Sequence, residues 1–551
     1  MRNSRALSTH ALMLAGAILR AAALSATVAL LSFGARPGHA AEPQTLAGLI
    51  RTGEREAVLA AITSPDLDVN AREPDGSTAL LWATYKVDHE LVRALLKRGA
   101  KANITNQYGS TPLTEAVKVN DLELVRMLLD AHADPNSANQ DGQSALMLAA
   151  SLGSLEIAEL LIAKGAGVNA LETYRGQTAL MWAAAEKHPD LVTLLLAHHA
   201  DFKVRAKYDD WSRQITSEPR AQFRPTGGLT ALLYATRSGC LACAQALVKA
   251  GADVNQPNPD GVTPLINAID NRNFDIAMFL LDQSANPNPW DMTGRTALYV
   301  AVDMNSIASR GFLGFGGLLP PAPKDKATAM DVINRLLAMG VDPNHELTRM
   351  RPNAPGRGRF GEYMLRGGTG PLMVAALGYD NAAIKALLAH GAEVDLPNVF
   401  RITPLMAAAG MEGTGRGGGP TEGDTQAKAI GTIDLLLQGG ANVNAKITDS
   451  RTHTAKLTAY NRGTDHEGQT ALFAAAAAGW DKVVKDLLAH GADPMVRDAD
   501  GKTALDQARR APPGGNGGGG PPAASAGRAA TVAILESALQ SGGAGSPARS
   551  K

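Results

Sequence analysis

The sequence predicts an all-α solenoid of about twelve helix-turn-helix units of 33 residues, interrupted by long loop insertions. Three observations predict it. A phrase of the type "DGSTALLWA" (75–83) recurs, and its glycines stand at positions 76, 109, 142, 176, 228, 261 and 294, in steps of 33, 33, 34, 52, 33 and 33 residues. A second phrase of the type "ELVRALLKRGAKAN" (90–103) recurs between them. Aromatic residues make up only 4% of the chain, which suits a core of small residues and leucines.

The first forty residues have the pattern of a secretory signal peptide. Arg2, Arg5 and Arg20 are followed by an apolar stretch at 21–33, and Gly38-x-Ala40 offers small residues for cleavage. That stretch is short for the ~20 residues that cross a bilayer, so we expect cleavage after Ala40 rather than a membrane anchor. Cleavage would leave 49 basic against 53 acidic residues, without the basic surface of a nucleic-acid binder. The expected location is periplasmic or secreted, with no membrane span after cleavage.

One unit reads as a turn, a short helix, a second turn, a longer helix and a loop. Asp75 and Gly76 suit the turn, because glycine adopts positive φ without strain. Thr78 suits the N-cap of the first helix, and alanine or proline follows at the first helical position. The leucines of the second phrase suit the side that faces the next unit. The glycine after them ends the second helix in a left-handed cap.

These two phrases resemble the ankyrin repeat, whose 33-residue units stack into a curved solenoid. The resemblance covers about residues 43–540 and includes weaker copies of the glycine phrase at 367–375, 400–408, 467–475 and 500–508. Residues 45–70 resemble a degenerate first unit. We predict a repeat array at 43–510, a Gly/Pro-rich loop at 511–527, a C-terminal capping helix at 528–541 and a disordered tail at 542–551.

Insertions break the repeat near residues 202–226, 306–326, 346–367, 411–426 and 446–466, and insertions in a solenoid map to its rim or binding face. The first holds Tyr208, Trp211 and Phe223 among six basic and three acidic residues, which is typical of an interface anchor. A loop that folds back over the groove and buries these rings is an equal alternative. Arg357 and Arg359 in a later insertion could receive an acidic partner or a phosphate, although such loops are more often simply solvated.

No catalytic residues, metal site or cofactor are predicted. The sequence lacks GxSxG and HExxH phrases, and the glycines at 413–419 follow no strand and precede no Lys-Ser/Thr pair. The adjacent loop histidines His198 and His199 are weak metal candidates without further ligands.

The only two cysteines, Cys240 and Cys243, stand one helical turn apart in "SGCLACAQAL" (238–247). Cys240 opens the second helix of its unit and Cys243 takes a buried position, so the sulfurs are close enough for a disulfide. We expect a structural pair, either bonded or packed as small apolar groups. A redox centre is less favoured, because no βαβ pattern accompanies the motif. Ala244 stands where c-type haem attachment requires histidine.

The resemblance implies that turn tips and the exposed side of the first helices bind a partner. The corresponding positions here are Tyr85, Lys86, Tyr108, Lys118, Tyr174, Arg175, Arg295 and Phe400, joined by Trp290 beside a tip and by Tyr208, Trp211, Arg357 and Arg359 in the insertions. Trp82 and Trp182 occupy a usually buried position, so we expect them in the core.

The expected function is that of a non-enzymatic, monomeric scaffold outside the cytoplasm, which binds another protein and no nucleic acid. Two alternatives remain. The groove could bind a small ligand or glycan through the arginines at 351–366 and nearby aromatic residues, or Cys240 and Cys243 could serve a thiol–disulfide oxidoreductase.

Overall fold

The computed structural model describes residues 45–208, 227–306, 325–348, 367–411, 422–448, 466–510 and 522–542. Within these ranges the chain forms 24 helices that pair into twelve units, and its β-structure is limited to four isolated bridges. The predicted all-α solenoid of about twelve helix-turn-helix units is therefore confirmed. Among the described helices, none is long and apolar enough to cross a membrane.

Odd numbers denote the first helix of each unit and even numbers the second. The first helices are α1 (Leu46–Thr52), α3 (Ala79–Tyr85), α5 (Pro112–Lys118), α7 (Ala145–Leu152), α9 (Ala179–Ala185), α11 (Ala231–Ser238), α13 (Pro264–Asp270), α15 (Ala297–Ser306), α17 (Pro371–Leu377), α19 (Pro404–Ala408), α21 (Ala471–Ala478) and α23 (Ala504–Arg509). The second helices are α2 (Arg55–Ile62), α4 (His89–Lys97), α6 (Leu122–Asp130), α8 (Leu155–Ala163), α10 (Pro189–Ala197), α12 (Leu241–Lys249), α14 (Phe274–Asp282), α16 (Ala329–Ala338), α18 (Asn381–Ala389), α20 (Glu422–Gln438), α22 (Asp481–Ala489) and α24 (Pro522–Gly542).

The turn and cap of each unit follow from its residue types, as unit 3 illustrates. The hydroxyl of Thr111 accepts a hydrogen bond from the amide of Thr114 (3.1 Å), and Pro112 takes the first position of α5. Gly109 at the tip has a φ of 75°, and a Cβ there would lie 2.7 Å from the backbone nitrogen of Gln140 on the next tip. Glycine is thus needed both for the turn and for the close approach of neighbouring tips.

The core is a continuous row of small and aliphatic side chains between the two layers of helices. Each first helix packs against the first helices of adjacent units and against its own second helix. Leu113, Leu146 and Leu180 occupy equivalent positions and are at most 1% exposed. Burying each such side chain stabilises the fold by roughly 1.5–3 kcal/mol.

Asparagines in the loops after the second helices join neighbouring units. Asn103 donates from Nδ2 to the carbonyl of His132 (2.9 Å), and its Oδ1 accepts from the amide of Asp134 (2.7 Å). We call the six residues that form this pair of bonds the asparagine ladder: Asn70, Asn103, Asn136, Asn169, Asn344 and Asn444. Each rung fixes one unit's loop against the next.

A second set of contacts joins the tips through the backbone. The amide of Gln107 donates to the carbonyl of Asp75 (2.7 Å), and the amide of Thr173 donates to the carbonyl of Asp141 (2.7 Å). Further along, Met292 donates in the same way to Asp260 (2.8 Å). Neighbouring tips are therefore held at a regular spacing along the stack.

The first insertion leaves and rejoins the stack at one place. Tyr208 and Gly227 form an isolated antiparallel bridge, and the amide of Gly228 donates to the carbonyl of Lys207 (3.1 Å). The amide of Lys207 in turn donates to the carbonyl of Arg175 (2.6 Å), as between other tips. The insertion therefore does not interrupt the packing of unit 6 on unit 5.

Two second helices begin earlier than the sequence argument places them. The last helix, α24, starts at Pro522, inside the stretch predicted as a loop at 511–527, because proline suits a helix start and alanines follow it. Likewise α20 starts at Glu422, inside the insertion predicted at 411–426. The predicted signal peptide at 1–40 and most of the predicted insertions lie outside the described residues, as does the predicted tail beyond its first residue.

Candidate binding surface

The first helices present one row of side chains outward, four residues after each N-cap. In units 2 to 5 this row consists of Trp82, Glu115, Leu148 and Trp182, all half-buried. In units 6 to 11 the same position is buried: Tyr234 is 6% exposed, and Val300 and Val374 are fully buried. We call the exposed side of the first helices, with the adjoining tips, the first-helix face. Its open part lies in units 2 to 5.

The expectation that Trp82 and Trp182 belong to the buried core is wrong. Both indoles pack against the core but are only half-buried. Glu115 and Leu148, which are much smaller, are also half-buried at the same position of units 3 and 4, so the surroundings in units 2 to 5, rather than the residue type, decide the exposure.

The two indoles differ in their hydrogen bonding. Trp82 donates from Nε1 to Glu73 Oε2 (2.9 Å), and its ring meets the edge of Tyr85 at 5.7 Å between centroids. Nε1 of Trp182 is buried and has no hydrogen-bond partner among the described residues. The corresponding tip carboxylate, Glu172, instead accepts the backbone amides of three tip residues, at 2.6 to 3.1 Å.

Most of the predicted contact residues that the structure describes are exposed. Tyr85, Tyr108, Tyr174, Tyr208 and Trp290 range from 52% to 75% exposed. Lys86, Lys118 and Arg175 are also exposed, although Lys118 pairs with Glu115 (Nζ to Oε1, 2.8 Å). Their binding role stays a prediction.

The structure brings these residues together in part. Tyr85 lies beside the open row, whereas Tyr174, Arg175 and Tyr208 meet where units 5 and 6 join. Trp290 belongs to unit 8, where it packs against His345 at 5.1 Å between ring centroids.

Arg295 is not the exposed contact residue that its tip position predicts. It is 7% exposed; its Nε lies 2.7 Å from Asp291 Oδ2 and one terminal nitrogen lies 3.1 Å from Asp270 Oδ1. Burial alone would lower the pKa of Arg295, but the carboxylates of Asp270 and Asp291 raise it above its ordinary value. For Asp291 the effects are reversed, because burial alone would raise its pKa. The charge of Arg295 and hydrogen bonds from Arg295 and Thr293 instead hold the pKa of Asp291 below its usual range. Arg295 therefore ties units 7 and 8 together.

Phe400 also departs from its predicted exposure. Its ring is half-buried against the core, while the preceding Val399 is the exposed apolar residue of that tip. The amide of Phe400 donates to Asn398 Oδ1 (3.0 Å), which fixes the turn in this orientation. Trp211, Arg357 and Arg359 lie outside the described residues, so the predictions for them, and for a ligand site at 351–366, stay open.

Arg237 and Leu148 lie on the first-helix face but are not among the contact residues predicted from the sequence. Arg237 lies seven residues after its N-cap Thr230, which is the position of Tyr85 and Lys118 in their units. Its guanidinium lies 4.9 Å from the centre of the Tyr234 ring. Aligning every unit on its capping residue would have identified both side chains.

Cys240 and Cys243 are joined in a disulfide. Cys240 caps α12, and its Sγ accepts from the amide of Cys243 (3.2 Å). The two residues are 6% and 0% exposed. A redox centre needs an accessible sulfur, so this burial favours a structural role.

Asp434, Asp486 and His490 form a group that could hold a cation, although the sequence predicts no metal site. One ligand atom from each lies within 4.8 Å of the others, and His490 Nε2 is 3.7 Å from Asp434 Oδ1. Burial, then the charge of Asp434, raises the pKa of Asp486. These residues lie on the second helices α20 and α22 and at the end of α22, so they do not contribute to the first-helix face.

Comparison with known proteins identifies the repeat. A family model described as ankyrin repeats (3 copies) matches residues 47–139, 118–206 and 232–313, and a single ankyrin-repeat model matches residues 467–499. The matches cover units on both sides of the first insertion and one near the end of the array.

The curated relatives match over limited segments. RelA-associated inhibitor of Mus musculus is 38% identical over 96 residues, which is 17% of this chain and 12% of the relative. B-cell lymphoma 3 protein homolog of Mus musculus is 29% identical over 153 residues, 28% of this chain and 29% of the relative. The Danio rerio protein named "Putative palmitoyltransferase ZDHHC13" is 28% identical over 299 residues, 54% of this chain and 35% of the relative. The chain thus spans about a third or less of each relative.

We expect the substitution Arg295→Met to destabilise the chain strongly, because it leaves the buried carboxylate of Asp291 without its cation. The free energy of unfolding should fall by about 3–5 kcal/mol at neutral pH, measured by urea denaturation followed by circular dichroism. The pKa of Asp291 is lower in the folded chain than in the unfolded chain. The stability that results is present above the pKa of the unfolded state and is lost as the pH falls through the pKa of the folded state. The difference between the two proteins should therefore shrink in acid.

Arg335→Met is the matched control for this prediction. Arg335 pairs with Asp282 at 3.4 Å on the surface, with both side chains about half exposed or more. Its loss should cost less than about 1 kcal/mol. Equal losses for the two substitutions would contradict the role given to Arg295.

Proposed function

Because this chain is built of ankyrin repeats, we propose that it is a non-enzymatic scaffold that holds a partner protein on the open part of its first-helix face. The observation that carries the proposal is the half-buried row of units 2 to 5, which is apolar in three of its four units. Trp82, Leu148 and Trp182 expose apolar surface there, and Tyr85 stands beside them. Aromatic side chains on a rigid support are the usual anchors of protein interfaces.

The exposed tips extend this surface. Tyr108, Tyr174 and Tyr208 lie on the tips of units 3, 5 and 6, and each offers an apolar ring with a polar hydroxyl. The insertion that begins beside Tyr208 leaves the stack next to Arg175, at the edge of the open row. We propose that it contributes to grasping the partner; a loop that covers the groove is the alternative.

The named relatives are consistent with protein binding. The name RelA-associated inhibitor describes a protein that associates with another protein. By contrast, a cavity of about 210 Å³, lined by Phe202, Leu232 and Gln256 among others, is smaller than the ~300–1,000 Å³ of most ligand pockets, and another of about 320 Å³ beside Asn120 and Ser154 is at the lower end of that range. An extended surface therefore supports a macromolecular partner better than a small ligand. We propose no nucleic-acid partner and a monomeric chain.

We also propose that the protein acts outside the cytoplasm, in the periplasm or as a secreted protein. Two features support this: the signal-peptide pattern of residues 1–40, and a disulfide formed by the only two cysteines.

A photo-crosslinking residue at position 148 should capture the partner. Leu148 lies in the middle of the open row, and Glu159 lies exposed on α8, the second helix of the same unit. With p-benzoylphenylalanine introduced at either position of the full chain in its native compartment, crosslinks to another protein should form from position 148 and not from position 159. Crosslinks of equal yield from both positions, or from 159 alone, would contradict the assignment of the face.

Chemical labelling and N-terminal sequencing test the proposed location. Protein recovered from its native host should begin at Ala41, and the denatured, unreduced chain should take up no alkylating reagent at Cys240 or Cys243. Recovery from the cytoplasmic fraction with residues 1–40 retained and two alkylated thiols would overturn this part of the proposal.

A further inference from the structure

Two arginines come together on the first-helix face where units 5 and 6 join. Arg175 stands on the tip of unit 5, and its guanidinium lies 5.7 Å from the centre of the Tyr174 ring. Arg237 stands on α11 of unit 6, against Tyr234. The tip that carries Arg175 also contacts the ring on which Arg237 packs, because Gln177 donates from Nε2 to the hydroxyl of Tyr234.

Neither guanidinium has a carboxylate partner among the described residues. The guanidinium of Arg237 packs on the Tyr234 ring, and the backbone carbonyl of Arg237 accepts a hydrogen bond from Asn273 Nδ2 (3.3 Å). The nearest tip carboxylate, Glu172, is 4% exposed and accepts the amides of Tyr174, Arg175 and Gln177, so its oxygens face the backbone. By contrast, Arg93 pairs with Glu123 and Arg335 with Asp282 on the second-helix side.

Lys207 adds a third positive charge at the same junction. Its amide donates to the carbonyl of Arg175 (2.6 Å), and its Nζ donates to the carbonyl of Thr173. Two exposed guanidiniums without a carboxylate partner among the described residues raise the local potential, and an anion placed between them would lower it. The arginine forks are also suited to bidentate contact with a carboxylate.

The anion site continues into the apolar row. Trp182 occupies the row position in unit 5 that Tyr234 occupies in unit 6, and Leu148 and Trp82 follow in units 4 and 2. A small anion would occupy the arginines alone. A peptide with an acidic residue followed by apolar residues would occupy both the arginines and the row.

We propose that the partner presents an acidic peptide segment, with a carboxylate held between Arg175 and Arg237 and an apolar side chain packed on Trp182. This inference rests on the proposed function and specifies the chemistry of the partner.

Selection from a random peptide library on the immobilised full chain tests the proposal. Peptides rich in Asp and Glu beside apolar residues should be enriched on the unaltered protein. The Arg175→Glu, Arg237→Glu double variant should lose that enrichment. The matched control is the Arg93→Glu, Arg335→Glu double variant, which makes the same change in net charge on the second-helix side and should keep it.

A selected peptide then gives the affinity. In a fluorescence titration, the Arg175→Ala, Arg237→Ala double variant should bind the peptide at least about tenfold more weakly than the unaltered chain does. Binding to the unaltered chain should weaken with added salt, and the variant should largely lose this salt dependence. Circular dichroism must show equal helix content, so that a folding defect is not mistaken for lost binding.

Four results would overturn the proposal. Enrichment without acidic residues, or acidic enrichment that survives Arg175→Glu, Arg237→Glu, would refute the partner's chemistry and leave the scaffold function standing. Displacement of the peptide by inorganic phosphate at equal concentration would indicate a phosphate site instead. Crosslinking from position 148 that no selected peptide reduced would show that the peptide and the partner bind at different places; the scaffold function itself fails only if position 148 captures no protein.

Discussion

The asparagine ladder holds neighbouring units in one register, and the rest of the structure depends on that register. Each rung uses both ends of one amide, as Asn103 does between the carbonyl of His132 and the amide of Asp134. These bonds contribute only about 0.5–1.5 kcal/mol each, less than the burial of one leucine. However, burial has no preferred direction, whereas a hydrogen bond does. The apolar core therefore supplies most of the stability, and the ladder with the tip-to-tip backbone bonds supplies the register.

A constant register converts repeated sequence into a continuous surface. Because each N-cap lies at the same height relative to its neighbour, the residues four positions later form a row across units 2 to 5. The row is apolar at Trp82, Leu148 and Trp182, and it ends at the cationic junction of units 5 and 6. The first insertion separates Arg175 from Arg237 in sequence but is closed at its base by Tyr208 and Gly227, so the tip of unit 5 still reaches Tyr234 through Gln177. Since the surface is preformed, binding there would cost little ordering of the chain.

Residue pattern alone predicts most of the fold and only part of the site. Glycines such as Gly109 recur because the tip needs positive φ and has no room for a Cβ, so they locate the units. The exposure expected from the repeat is found at Tyr85 and Tyr174, which are 52% and 75% exposed. The predicted exposure is wrong for Arg295, because Asp291 and Asp270 of the preceding unit enclose its side chain. The pairing with Asp270 exists only after the units stack. The half-burial of Trp182 is likewise set by neighbouring helices and not by its own residue type.

The central claim is that side-chain hydrogen bonds between units fix the register of a rigid stack. Hydrogen exchange at the ladder amides tests this claim most directly. The amides of Lys101, Asp134, Gly167 and Asp201 belong to exposed loop residues, and each donates to the asparagine of the preceding unit, at 2.7 to 2.8 Å. If the ladder is formed in solution, these amides exchange orders of magnitude more slowly than unstructured amides, at rates close to those of neighbouring helices. Exchange at the rate of an open loop would contradict the account.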